Sequence, residues 1–312
     1  MKIQRRIRRA AASTLAALTV VASALVAAPP ASAANGGPCD FAVLIGVRGF
    51  TAPGGTGTSA GGYGWTAGGY GDVPQAVVNK YNEEFSWPTY EISLNYDAGG
   101  VTPSHVWNGA QNLANEINWY ANNCTYGPAI LLTDHSLGAA VIVNLLVNAD
   151  DYLTAKARSM VRSVQLYGNP LFYAPGRSWS SGTYSGQGII SALSSAASNE
   201  AATASINSMF GTEFIEDNCY AQDGYCQAGK ALDGAAHNSY TGGAATLGGY
   251  SLGERLIIWS RGAEDDGEAP EYSLPAPGSG ELPNLAFITP SNADEYAVEI
   301  EEMTQLLEDE LQ

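Results

Sequence analysis

The chain has 312 residues, with 31 Asp and Glu against 14 Lys and Arg, for a formal net charge of −17. That balance opposes binding to nucleic acid or to an anionic lipid surface, and it says little about fold. A phosphatase or nuclease is disfavoured too, since neither a metal-ligand cluster nor a basic groove is readable in the sequence.

In chain order, the first 33 residues read as an export signal cleaved near Ala33. Lys2, Arg5, Arg6, Arg8 and Arg9 precede an Ala/Leu/Val run that ends in Ala31-Ser32-Ala33. The run is shorter than the roughly 20 residues of a spanning helix, and Pro29-Pro30 interrupts it, so stable membrane insertion is not expected. Loss of these five cations takes the secreted, extracellular chain to a charge of −22. Its four cysteines, Cys39, Cys124, Cys219 and Cys226, all lie in the exported part. An even count in an oxidising compartment favours two disulfides, with nearest-neighbour closure of Cys219–Cys226 and, by subtraction, Cys39–Cys124. No C-x-x-C pair is present and histidines are few, so no metal and no cofactor are expected.

Residues 41–47 form a continuous apolar run suited to a buried parallel strand. A glycine-rich loop over 54–71 follows. Residues 73–85 show helical spacing through Val77, Val78, Tyr81 and Phe85, with Asp72-Val73-Pro74 as the start signal. A strand over 90–96 and a helix over 104–122 come next, the helix carried by Val106, Leu113, Ile117 and Tyr120. Further strands are expected over 130–134, 162–167 and 213–216, and a closing helix over 252–259. This alternation predicts an α/β fold, a three-layer doubly wound parallel sheet, with ligands bound beyond the carboxyl ends of the strands. The segment 171–211, rich in Ser, Ala, Gly and Asn, reads as a cover or insertion. The domain is expected over 34–262, followed by an acidic linker and tail over 263–312 that holds fourteen acids and no Lys or Arg.

The chemistry starts at Ile130-Leu131-Leu132-Thr133-Asp134-His135-Ser136-Leu137-Gly138, an apolar strand that breaks at a serine and resumes as a helix. A nucleophile elbow has this shape, because the sharp turn lifts the hydroxyl and aims following N–H groups at the reacting oxygen. The G-x-S-x-G pattern has glycine where this chain has Asp134. A side chain there is expected either to open the turn or to turn outward and place a charge near the catalytic histidine. A serine needs a histidine base and a carboxylate that orients it. Of His105, His135 and His237, the last follows the final strand, where the order Ser, Asp, His puts it. His135 is expected to point away and pack, and His105 to cap or sit at the surface. Asp217, Asp223 and Asp233 are the candidate orienters; Asp223 is preferred for its place in a disulfide-stiffened loop, with Asp217 second.

The pattern of a cysteine, an aspartate four residues on, a cysteine three further, and a histidine in Ala-Ala-His-Asn resembles the cutinases. Cys39 before the first strand, Arg48-Gly49 after it, the helix ending near Cys124 and the elbow extend the likeness over most of 38–260. The resemblance implies a serine esterase with Ser136 as nucleophile, Asp223 as orienter and His237 as general base and acid. It implies an oxyanion hole from the N–H of Leu137 and one in Gly49-Phe50-Thr51, taken as Phe50. Cutinases carry a small hydroxyl residue where this chain has Phe50, so that side-chain donor is lost unless Thr51 replaces it. Such a loss costs about 3 kcal/mol of transition-state stabilisation. The implied partner is an ester substrate of short or medium acyl chain, or a cutin-like polyester, attacked by a monomer. Acetylxylan or mycolyl esters, or a non-catalytic binding role favoured by Asp134, are the alternatives.

Overall fold

The computed structural model describes residues 36–175, 180–181, 186–210 and 214–265, with side chains of 180–181 and 257–265 left aside. The expected export signal and the tail beyond 265 lie outside the described residues. Five longer strands, β1 (Ala42–Val47), β5 (Thr89–Leu94), β6 (Ala129–Asp134), β7 (Val161–Tyr167) and β9 (Ile215–Asn218), build the sheet. Two-residue strands close its edges, β3 (Gly64–Trp65) and β8 (Ser180–Ser181), in the order β3-β5-β1-β6-β7-β9-β8. A separate ribbon pairs β2 (Gly55–Thr56) with β4 (Ala67–Gly68).

The core strands read as buried runs because helices cover both faces. One cover is α1 (Asp72–Glu84) with α9 (Gly243–Asp265). The other is α2 (Pro103–Asn123), α3 (Leu137–Val147), α5 (Ala155–Met160) and α7 (Ala196–Met209). Short helices α4 (Ala149–Tyr152), α6 (Ile189–Leu193) and α8 (Gly234–His237) complete the set. On β1, Val43, Ile45 and Val47 face the α2–α3 core, while Ala42 and Leu44 face α1 and α9. Every residue of α3 is buried, as expected of an apolar helix wedged between a sheet and two other helices. Each such fully buried aliphatic side chain contributes about 1.5–3 kcal/mol.

The expected doubly wound α/β architecture is present, with one refinement: β3 pairs antiparallel to β5, so the sheet is mixed at that edge. β3 belongs to the glycine-rich loop, and the chain passes through β4 and α1 before it returns as β5. The loop is pinned from below by Glu116 of α2. This buried carboxylate accepts Ser59 Oγ at 2.8 Å, the N–H groups of Gly61 and Tyr63 at 3.2 and 2.9 Å, and Tyr120 OH at 2.6 Å. The fifth long strand runs two residues later than expected, which puts Asp217 inside β9 with its side chain buried. The described residues of segment 171–211 include α6 and α7; α7 packs on α3 through Ala202 and Ile206. Both expected disulfides are present: Cys39–Cys124 ties the entry to β1 to the end of α2, and Cys219–Cys226 closes the loop after β9.

β1 and β6 end level, with Val47 opposite Asp134. The loops leaving β1, β6, β7 and β9 therefore emerge along one edge of the sheet, which is where the site assembles.

Candidate active site

The turn after β6 is as sharp as the sequence requires. Ser136 has φ 56° and ψ −116°, and Thr51 has φ 56°; these are the two non-glycine residues with positive φ among those described. Both line the same cavity, of about 310 Å3. Strain of this kind persists only where surrounding contacts enforce it. Here the Ser136 N–H is held by the Tyr167 carbonyl at 2.9 Å, and the Thr51 N–H by the Ala98 carbonyl at 2.9 Å. Two residues past the serine, a Cβ on Gly138 would run into the Val47 carbonyl, so α3 can start this close to β1 only with glycine there. Among the described residues, no hydrogen bond engages the N–H of Leu137 or of Phe50, and both residues line the cavity.

His237 closes α8 on the opposite wall. Its Nδ1 lies 3.0 and 2.9 Å from Asp223 Oδ1 and Oδ2. Its Nε2 is buried without a hydrogen-bond partner among the described residues. Asp223 is fully buried in the loop clamped by Cys219–Cys226, and it also accepts the Tyr225 N–H at 2.9 Å and Tyr240 OH at 2.7 Å. Burial alone would raise its pKa, but the bond and charge of His237 with the Tyr240 and Tyr225 donors outweigh it and hold the carboxyl below its ordinary range. The His237 ring is stacked on Tyr225 at 4.0 Å between centroids and lies 4.6 Å from His135.

The other candidates separate cleanly. Asp233 caps α8, accepting the Ala235 and Ala236 N–H groups. Asp217 is bonded by Asn169 Nδ2 at 2.8 Å, so it serves the sheet edge rather than His237. His105 lies in the first turn of α2 and does not cap it: its ring meets the side chains of the N-cap Thr102 at 2.6 Å and of Asp97 at 3.4 Å, away from the cavity. His135 does pack, but it also donates from Nε2 to the His237 carbonyl at 2.8 Å. Burial, then the neighbouring His237, lowers its pKa to about 3, so it is neutral at ordinary pH. Asp134 corrects both expectations made for it: the elbow is closed and the side chain points neither outward nor at His237. It is fully buried, on the face shared with Ile130 and Leu132.

Two residues escaped the sequence reading. Tyr240 lies in a turn after α8 with no motif around it, and only folding brings its hydroxyl to Asp223. Tyr225 had a signal, its place between Asp223 and Cys226, but nothing in the sequence says which way its ring turns. The cavity mouth is apolar, from Phe50, Val101, Pro170, Ile189 and Ile190, the last two supplied by α6. No group of three or more potential metal ligands converges among the described residues, and no described helix is long and apolar enough to cross a membrane.

A mostly parallel sheet between helix layers, with a strained serine between strand and helix and a buried histidine–aspartate pair across the cavity, defines an α/β-hydrolase type of protein. The Cutinase family model matches residues 38–247, and the chain belongs to the cutinase family, a carboxylic ester hydrolase by class. Solved structures agree on the fold. The catalytic core domain of acetyl xylan esterase from Trichoderma reesei is 22% identical, covering 70% of this chain and 99% of its own, with a TM-score of 0.53. A cutinase-like protein from Cryptococcus sp. is 22% identical over 72% of this chain and 98% of its own, with a TM-score of 0.52. No curated protein sequence matches the chain.

Proposed function

We propose that the protein is a secreted serine esterase in which Ser136 is the nucleophile, His237 the general base and acid, and Asp223 the group that orients His237. One observation carries the reading. Asp223 occupies Nδ1 of His237, which leaves Nε2 without a partner among the described residues, and His237 lines the same cavity as Ser136. Ser136 Oγ would attack the ester carbonyl carbon as its proton passes to Nε2. The resulting imidazolium is stabilised by the Asp223 carboxylate and returns that proton to the leaving alcohol. Water then enters by the same route and releases the acid. The free N–H groups of Leu137 and Phe50 suit the oxyanion, a donor pair that survives the bulk of the Phe50 side chain because it is main-chain.

The apolar mouth supports a carboxylic ester of short to medium acyl chain as substrate. The inward burial of Asp134 removes the main reason to read the chain as a binding protein only. Secretion is supported by the family and by two disulfides. The test is hydrolysis of p-nitrophenyl butyrate by the wild type, abolished in Ser136→Ala; a wild type as inert as that variant overturns the proposal. A series from acetate to octanoate esters then sets the acyl length, and a sharp preference for acetate would move the substrate to acetylated polysaccharide.

A further inference from the structure

The residue that breaks the elbow motif holds the main chain of Tyr167, the first of three consecutive residues on which both halves of the site rest. The β6–β7 ladder ends at Thr133 opposite Gln165, where β6 turns away into the elbow. Beyond that point Asp134 Oδ1 accepts the Tyr167 N–H at 3.1 Å, in place of a main-chain acceptor. The carbonyl of the same Tyr167 accepts the Ser136 N–H at 2.9 Å. Gly168, at φ 58°, packs against the other half of the site: a Cβ there would come within 2.8 Å of His237 Cε1 and 3.0 Å of Asp223 Oδ2. Asn169 is fixed by Asp217 through its Nδ2, and its own Oδ1 accepts the Leu171 N–H at 2.8 Å. Two buried acids thus grip Tyr167 and Asn169 on either side of the glycine that touches the histidine–aspartate pair.

We infer that Asp134 is a positioning residue for Ser136, its buried carboxyl fixing the Tyr167 main chain that in turn fixes the strained serine relative to His237. The inference rests on the proposed role of Ser136. Burial with no cation beside it favours the neutral form of this carboxyl. Asp134 is fully buried, and its Oδ2 has no hydrogen-bond partner among the described residues. The titratable groups acting on it are Tyr167 from β7, Tyr96 past the end of β5, and Asp217 from β9. Burial raises its pKa well above the carboxylate range, the Tyr167 N–H offsets part of this, and Asp217 adds to it. Both tyrosines are themselves pushed up by burial, so neither supplies a competing ionisation at moderately alkaline pH.

The test compares Asp134→Asn and Asp134→Leu in the full chain, by kcat and KM on p-nitrophenyl butyrate and by the rate of Ser136 labelling with a fluorophosphonate. Asparagine keeps the acceptor oxygen and places an N–H where the neutral acid has its O–H, so kcat and labelling stay near wild type. Leucine keeps the bulk but not the acceptor, and kcat falls by roughly 10²-fold with KM little changed, the cost of a misplacement on the scale of 1 Å. A leucine variant with wild-type kcat, or an asparagine variant as slow as the leucine one, overturns the inference. Should the leucine variant not fold, Asp134→Ser takes its place: the shorter hydroxyl cannot reach the Tyr167 N–H, kcat falls in the same way, and a serine variant with wild-type kcat overturns the inference. Ser136→Ala separates the two levels of argument. If it is as active as wild type, the esterase proposal itself fails; if it is dead and the Asp134 series shows nothing, only the positioning role fails.

Discussion

Asp223→Asn changes one atom, and the structure dictates which way the new amide must face. Oδ1 accepts the Tyr225 N–H at 2.9 Å, and a backbone donor cannot reverse, so the amide oxygen takes that position. The NH2 then occupies the place of Oδ2, facing Tyr240 OH at 2.7 Å and His237 Nδ1 at 2.9 Å, and only the amide oxygen at 3.0 Å is left to accept from Nδ1. The tyrosine hydroxyl can rotate and accept. His237 can accept at Nδ1 only by moving its proton to Nε2, the atom needed to take the proton of Ser136. The volume is unchanged and no cavity forms. Three charge-assisted bonds become neutral ones, for a net stability cost of about 1–3 kcal/mol. The catalytic cost is far larger: a drop in kcat of about 10⁴, or about 5.5 kcal/mol. Asp223 does not line the cavity, so KM stays near wild type. Steady-state kinetics on p-nitrophenyl butyrate, with thermal melts of both proteins, checks all three quantities. A variant within tenfold of wild-type kcat, or a loss matched by loss of folded protein, refutes the reasoning.

His135 gives the fold an acid-sensitive element. Its folded pKa of about 3 lies below the unfolded value near 6.5, so the unfolded chain binds a proton that the folded one refuses. Its contribution is complete above pH ~6.5 and falls by about 1.4 kcal/mol per unit as pH drops towards 3; denaturant melts of His135→Gln, which keeps a donor for the His237 carbonyl, should lose that slope. Replacing both cysteines of Cys39–Cys124, 85 residues apart, costs about 4–5 kcal/mol by loop entropy and leaves kcat in the folded fraction intact. The same change at Cys219 and Cys226, 7 residues apart, costs only about 2 kcal/mol but lowers kcat, because that loop carries Asp223; melts and kinetics on the two double variants separate the effects. Glu116→Ala orphans the Gly61 and Tyr63 N–H groups along with two hydroxyls, a loss of about 3 kcal/mol or more in a melt.

The division between sequence and tertiary structure runs through particular residues. Periodicity alone located the helices carrying Val77 and Ile117 and the strand leading to Ser136, because apolar spacing reports which faces a local element must bury. The bracket of Cys219, Asp223 and Cys226 located the acid that meets His237, because a short disulfide loop is a local object. Asp134 was misread because a motif assigns glycine to that position without saying where another side chain could go. The answer depends on how β7 runs past the end of β6 and leaves the Tyr167 N–H in need of an acceptor. Tyr240, Gly168 and the buried Glu116 were invisible for the same reason, since each acts on residues distant in the chain. What the sequence determined by itself is the alternation of elements, the elbow and the pairing of His237 with Asp223, all set by local stereochemistry and order along the chain. What only the tertiary structure decided is how those groups are held, because the hydrogen bonds that hold them cross between strands whose separation in space no local pattern records.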